Sequence, residues 1–363
     1  MTPLRLDKTE ARRIAIRAQR LDAARPVGLL PLVQQLTFLQ LDPTATIAPS
    51  ADLIAWSRLG SSHRPAELQK AIEQDRTLWE HKAQDEATSP AIAMVRPISD
   101  LPLHLAEMAQ GVRFRDARVW LAANETFRND VLARLRDAGP LLSRHIPDTS
   151  TIPWVSSGWT HNQNVTRMLE FLVARGEVAT AGRIGRQRTF DLAERVYPAG
   201  VEPLPLEEAK RLRDQRRLRS LGIARAVMVG EAGEPAQLDG SSREWRVDPD
   251  ALDRPFAGRT ALLSPFDRLI HDRIRTLEVF DFEYLLEMYK PAGKRRWGSF
   301  ALPILHDDRL VGKLDAIADR MAGTLTVNAL HEDVPFDGSM MGAVRAEIDD
   351  LAGWLGLRVV FAA

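Results

Sequence analysis

The chain has 363 residues, 45% of them apolar, so it can bury two or three ordinary cores and is globular rather than disordered. Its 49 Lys and Arg are matched by 49 Asp and Glu, so no global field attracts nucleic acid and any anion-binding surface has to be local. The absence of cysteine excludes a disulfide framework, a thiolate metal site and a cysteine nucleophile.

Met1 to Leu6 lacks the basic, apolar and small-residue order of a signal peptide, and no apolar run approaches the ~20 residues of a membrane helix. A soluble cytoplasmic protein without a membrane partner is expected. Asp7-x-x-Glu10 reads as a capping box that opens an arginine-rich helix to about Leu21. Arg12 and Arg13 on it are candidate phosphate contacts, with a solvated helix face as the alternative. The run Leu36-Thr37-Phe38-Leu39 then leads into Gln40-Leu41-Asp42, closed by Pro43. If this stretch is extended, Gln40 and Asp42 point the same way and Leu41 turns into the core. A carboxylate and a carboxamide so placed can hold one water between them.

From Glu125 to Tyr197 the periodicity predicts a helix over 127–136, a short helix over 141–145 and a third over 162–175, where Val165, Met168, Leu169 and Leu172 share a face. The period then changes, and strands are expected over 177–180 and 187–192, joined by a turn with Gly182 and Gly185. Helix-turn-helix followed by a hairpin is the pattern of a winged helix, which lays its second helix in the major groove and its hairpin along the backbone. Arg183, Arg186 and Arg188 on the hairpin are candidate phosphate contacts. Asn162, Gln163 and Asn164 are placed either to reach base edges or to cap the helix.

A basic helix over 207–219 follows. Strands are expected at 284–289, 297–303, 309–318 and 324–330, separated by turn signals, as an antiparallel meander. A helix over 341–355 closes it, with Val344, Ile348, Leu351 and Leu355 on one face. The turn from Lys290 to Trp297 carries Lys290, Lys294, Arg295 and Arg296 beside an aromatic ring, a pattern suited to phosphates and to stacking on, or wedging between, bases. Trp297 in the core of a solvated hairpin is the alternative. Asp315, Asp319 and Arg320 read as an ion-paired structural cluster. The histidines show no metal-ligand spacing, neither a P-loop nor GxSxG is present, and no cofactor is expected.

Several separated segments resemble one family in its order. Glu10-Ala11-Arg12-Arg13-Ile14-Ala15, Gln40-Leu41-Asp42-Pro43-Thr44 with Ala55-Trp56-Ser57-Arg58-Leu59-Gly60, the 176–198 hairpin region, Leu263-Ser264-Pro265-Phe266-Asp267-Arg268-Leu269, Tyr289-Lys290-Pro291-Ala292 and Gly312-Lys313-Leu314-Asp315 are similar to AlkZ/YcaQ-like DNA glycosylases. The resemblance implies release of alkylated bases, unhooking of interstrand crosslinks, and Gln40-Leu41-Asp42 as the YcaQ-like Gln-x-Asp catalytic motif. It also suggests Arg58 as a DNA contact. Where YcaQ-like members carry Arg-Ala-His-His, this chain has Pro49-Ser50-Ala51-Asp52. A third winged helix is implied as well, yet the sequence after Leu221 passes almost directly to Val227-Met228-Val229-Gly230.

The expectation is therefore an α+β chain of tandem winged-helix modules with a C-terminal antiparallel β-sheet and closing helix. A first module spans 1–120, a second winged helix 121–200, and a reduced third module with the sheet 201–363. Breaking the bond between deoxyribose and base builds an oxocarbenium-like sugar, which requires nearby negative charge and an oriented water. Asp42 fits both needs and Gln40 fits the second. No lysine stands in the motif, so lyase chemistry is not expected. The partner is double-stranded DNA carrying alkylated bases or crosslinks, bound by a monomer. The alternative is a non-catalytic winged-helix DNA-binding protein or transcription regulator.

Overall fold

The computed structural model describes residues 2–83, 92–112, 114–156, 161, 163–185 and 187–362. Asn162 and Arg186 lie outside them. The fold is mixed α+β, and its residues cluster into two compact units, one of residues 1–67 with 214–363 and one of residues 68–213. This division differs from three consecutive modules because the first strand pairs with one more than two hundred residues later.

The first unit begins with β1 (Leu4–Leu6) and α1 (Lys8–Ala18). Asp7 caps α1 as its sequence suggests, its carboxylate accepting from the Glu10 amide at 2.8 Å. Next come α2 (Leu29–Leu36), β2 (Leu39–Leu41) and α3 (Ser50–Leu59), and the first boundary between the units falls within α4 (Pro65–Glu73). Thr37 ends α2 with φ +67°, a left-handed conformation that a β-branched residue adopts only under constraint. That bend turns the chain directly into β2.

The second unit holds a hairpin of β3 (Leu78–Ala83) and β4 (Ile92–Pro97), then α5 (Pro102–Ala109), α6 (Arg115–Ala123) and α7 (Glu125–Ala138). The expected short helix after them is β5 (Leu141–Leu142) and a single 3-10 turn, because Leu141 and Leu142 pair with Phe190 and Thr189. Then come α8 (Asn164–Ala174), β6 (Val178–Ile184), β7 (Gln187–Leu192) and the one-turn α9 (Ala193–Val196), the sheet running β5-β7-β6. Phe127, Val131 and Leu135 of α7 and Met168, Leu169 and Leu172 of α8 fill its core.

The second boundary falls within α10 (Leu206–Leu221). Beyond it, β8 (Ile223–Arg225), the one-turn α11 (Ala226–Val229), β9 (Glu234–Leu238) and β10 (Trp245–Val247) form a sheet of order β1-β9-β10-β8, with β1 parallel to β9. Next come β11 (Arg259–Leu262), the one-turn α12 (Arg268–His271) and α13 (Arg273–Phe280).

A second sheet, of β11, β12 (Leu302–Asp307), β13 (Arg309–Asp319), β14 (Thr324–Glu332) and β15 (Arg358–Phe361) in that order, is covered by α14 (Gly338–Leu355). Two features correct the expected meander. The last pair is parallel, Thr324 opposite Arg358. Residues 284–289 form no strand, and burial does not alternate along them: side chains, rather than a backbone ladder, fix this segment. The Tyr284 hydroxyl donates to the Ala301 carbonyl at 2.7 Å, and the Glu287 carboxylate accepts from the Arg296 and Trp297 amides. The strand expected from 297 starts only at Leu302, after Gly298 at φ +96°, where a Cβ would collide with the Asp315 carboxylate.

Candidate active site

The motif segment is held by the core of the second sheet. Ile47, Ala48, Leu53 and Trp56 pack among Leu302, Ile304, Leu314 and Leu325, and Trp56 is fully buried. Bonds to main-chain carbonyls add to this: the Ala318 amide donates to the Thr46 carbonyl at 3.1 Å, and the Arg320 guanidinium to the Ile47 carbonyl at 3.2 Å. The loop between β2 and α3 is thus fastened to a rigid sheet edge. This is how a site resting on irregular backbone is held in place.

At the end of β2, Asp42 is half-buried, and one carboxylate oxygen accepts the Thr44 amide at 2.9 Å. Such an Asx turn, with Pro43 inside it, orients the carboxylate. The other oxygen meets no protein donor among the described residues. Gln40 is 7% exposed, and its Oε1 is buried without a hydrogen-bond donor among the described residues. A buried acceptor of this kind calls for a water. Leu41 is half-buried rather than turned into the core. Ser50, which sequence reasoning passed over, bridges the motif: its hydroxyl donates to the Gln40 carbonyl at 2.6 Å and accepts the Asp42 amide at 2.8 Å.

The turn after residue 284 lies against the motif loop, where the Thr44 hydroxyl sits 3.9 Å from the Met288 sulfur. Burial pushes the Glu287 carboxyl up, but bonds from Lys290 and the Trp297 and Arg296 amides together hold it below the usual range. Lys290 is paired with Glu287, and Arg295 donates to the Lys290 and Met288 carbonyls. Lys294 is exposed, and Arg296 stacks over Trp297 with a long, exposed contact to Glu283. Trp297 itself is buried beneath the Lys313 ammonium, 4.3 Å from its ring, so it does not supply the expected aromatic wedge. Tyr289, 86% exposed, is the accessible ring of this turn.

Other expected contacts fall elsewhere. Arg58 has no exposed surface: its guanidinium pairs with Asp267 through both nitrogens, and its Nε donates to the Gln19 carbonyl at 3.1 Å. It joins two of the family-like segments inside the core rather than facing DNA. Arg12 is also buried, bonded to Thr9, and Arg13 is half-exposed, 3.1 Å from Asp308. Arg183 and Arg188 both pair with Glu80, itself 4% exposed. Asn164 is buried and pins the 148–154 loop through Asp148, Ser150 and the Trp154 amide, so it does not read bases. No salt bridge among the described residues joins Asp315, Asp319 and Arg320; Asp319 instead caps its turn and Asp315 meets Asn328.

A family model for the AlkZ-like DNA glycosylases matches residues 33–354. The chain belongs to this family. DNA glycosylase activity in DNA repair, with DNA as its partner, follows from that membership. Among solved structures, the DNA glycosylase AlkZ of Streptomyces sahachiroi is similar in fold, with a TM-score of 0.66 over 99% of this chain and 100% of that one, at 16% identity. Among the described residues no helix is long and apolar enough to cross a membrane.

Proposed function

We propose that this AlkZ-like glycosylase is monofunctional and hydrolyses the N-glycosidic bond of alkylated purines of the 7-alkylguanine type, with Asp42 and Gln40 as its catalytic pair. The observation that carries the reading is the pair itself. One oxygen of Asp42 is oriented by a backbone amide and the other meets no protein donor among the described residues, and two positions earlier the buried Gln40 amide oxygen also lacks one.

A 7-alkylguanine already carries positive charge, so it departs with the bonding electrons and needs little acid assistance. Water held by Gln40 adds to C1′ as the C1′–N9 bond breaks, and Asp42 takes the proton from that water. Until the new bond forms, the carboxylate stabilises the cationic sugar. The products are free base and an abasic sugar. In a crosslink joined through two such purines, the same cleavage frees one strand and leaves the adduct on the other. The turn bearing Tyr289, Lys294 and Arg296 supports DNA binding next to the pair, and the α8 and β6–β7 region supports a winged-helix contact.

Release of 7-methylguanine from alkylated duplex under single-turnover conditions tests the assignment. Asp42→Asn is expected to lower the rate about 10²–10⁴-fold while the affinity for DNA stays within twofold. Wild-type rates in Asp42→Asn would overturn it.

A further inference from the structure

Resting on that catalytic reading, we infer that Ser50 is a positioning residue for the glycosylase reaction, setting the relative placement of Gln40 and Asp42. In an extended strand the carbonyl of one residue and the amide of the second residue after it face the same edge. Along β2 those groups are the Gln40 carbonyl and the Asp42 amide. A neighbouring strand would satisfy them with two backbone groups. Here a single hydroxyl from the first residue of α3 satisfies both, at 2.6 and 2.8 Å.

The arrangement has three consequences. Ser50 is 1% exposed, so no solvent competes for its hydroxyl. Its backbone is fixed by a ten-residue helix whose Leu53 and Trp56 are embedded in the sheet core. The hydroxyl spends its one proton on the Gln40 carbonyl and a lone pair on the Asp42 amide, so the two motif residues are coupled through a single oxygen. Removing it frees the Asp42 amide and lets the carboxylate rotate with the Asx turn. Catalytic groups lose rate steeply when displaced by about 1 Å. Such a loss falls on the chemical step, since neither bond faces DNA.

The experiment compares Ser50→Ala, Ser50→Cys and Ser57→Ala with wild type on a duplex bearing 7-methylguanine, measuring the single-turnover rate, DNA affinity and thermal unfolding. Ser57 is another fully buried serine of α3, bonded to the Ile54 carbonyl and remote from the motif. Ser50→Ala is expected to lose at least tenfold in rate with affinity within twofold, whereas Ser57→Ala loses stability but keeps its rate. Ser50→Cys preserves volume and replaces a strong donor with a weak one, so its rate also falls. Wild-type rates in Ser50→Ala or, should that variant not fold, in Ser50→Cys would overturn the inference. So would a loss confined to affinity. Asp42→Asn separates the two levels: if it is inactive while both Ser50 variants are unimpaired, only the positioning role fails. If Asp42→Asn is active, or if wild type releases no base from this duplex or from a nitrogen-mustard crosslink, the catalytic reading fails and this inference falls with it.

Discussion

Arg58 illustrates how a residue type misleads when its surroundings are distant. An arginine in the last turn of a helix reads as a surface cation, yet its partner Asp267 stands 209 positions later in a second family-like segment of the same sequence, and neither side chain has exposed surface. Removing one member leaves the other charge buried alone, at a cost of about 3–5 kcal/mol. Arg58→Ala should therefore lower the denaturant midpoint by that equivalent, and Arg58→Met with Asp267→Leu should recover part of it; a DNA-affinity loss without destabilisation would contradict this account. His81 is a second buried case. It stacks on Trp79 at 4.6 Å and meets His104 edge-on, and burial, helped by Arg96 and Arg213, pushes its pKa well below the usual histidine value. The folded state keeps His81 neutral while the unfolded chain takes up a proton below pH ~6.5. Stability from this group is thus present above ~6.5 and lost as the pH falls, by up to about 1.4 kcal/mol per pH unit. His81→Phe should flatten the fall in unfolding temperature between pH 6.5 and 5. Gln40 and Asp42 could be put forward from the sequence as a candidate pair because their relation is local, two residues apart along the chain. Ser50 could not, because a hydroxyl's role depends on what the fold sets opposite it.

Among elements, the same distinction separates what periodicity reveals from what it conceals. The strands β13 and β14 and the helix α14 carry their pattern within themselves: Val344, Ile348 and Leu351 are fully buried on the expected face. The edge strands β1 and β15 have only three and four residues, and their partners lie far along the chain, so no local signal marks them. Residues 284–289 are rich in strand-forming aromatic and aliphatic residues but form no ladder, because Tyr284 and Glu287 make their bonds through side chains. The 287–297 turn then divides its two aromatics, Trp297 inward and Tyr289 outward. Trp297→Ala should cost about 3–5 kcal/mol of stability. Tyr289→Ala should leave the unfolding midpoint within about 0.5 kcal/mol, as an exposed substitution does. If Tyr289 stacks on a base, its truncation removes about 1–3 kcal/mol of DNA binding, and Tyr289→Phe retains it. Fluorescence of 2-aminopurine beside the lesion reports the difference, and equal signals from all three proteins would exclude a stacking role.

For the molecule as a whole, a net charge of zero makes DNA affinity depend on where unbalanced cations sit. The β6–β7 hairpin looks strongly basic in sequence, but Glu80 lies between Arg183 and Arg188 and cancels one of their two charges. In the 287–297 turn, Lys290 is likewise matched by Glu287, whereas Lys294 is exposed and the carboxylate that Arg296 meets among the described residues is a solvated Glu283 at long range. An exposed pair of that kind is nearly open to a phosphate, since it contributes at most about 1 kcal/mol. Each phosphate contact releases counterions and adds about 0.9 to the slope of log affinity against log salt. Lys294→Gln with Arg296→Gln should therefore reduce that slope by nearly 2. Arg183→Gln with Arg188→Gln should reduce it by well under 2 and lower stability as well, because Glu80 is then left buried without a cation. Anisotropy of a labelled duplex across a salt series measures both slopes. The opposite ranking would mean that Glu80 yields its arginines to phosphate on binding, and that the hairpin, rather than the turn beside Asp42, carries the electrostatic contact.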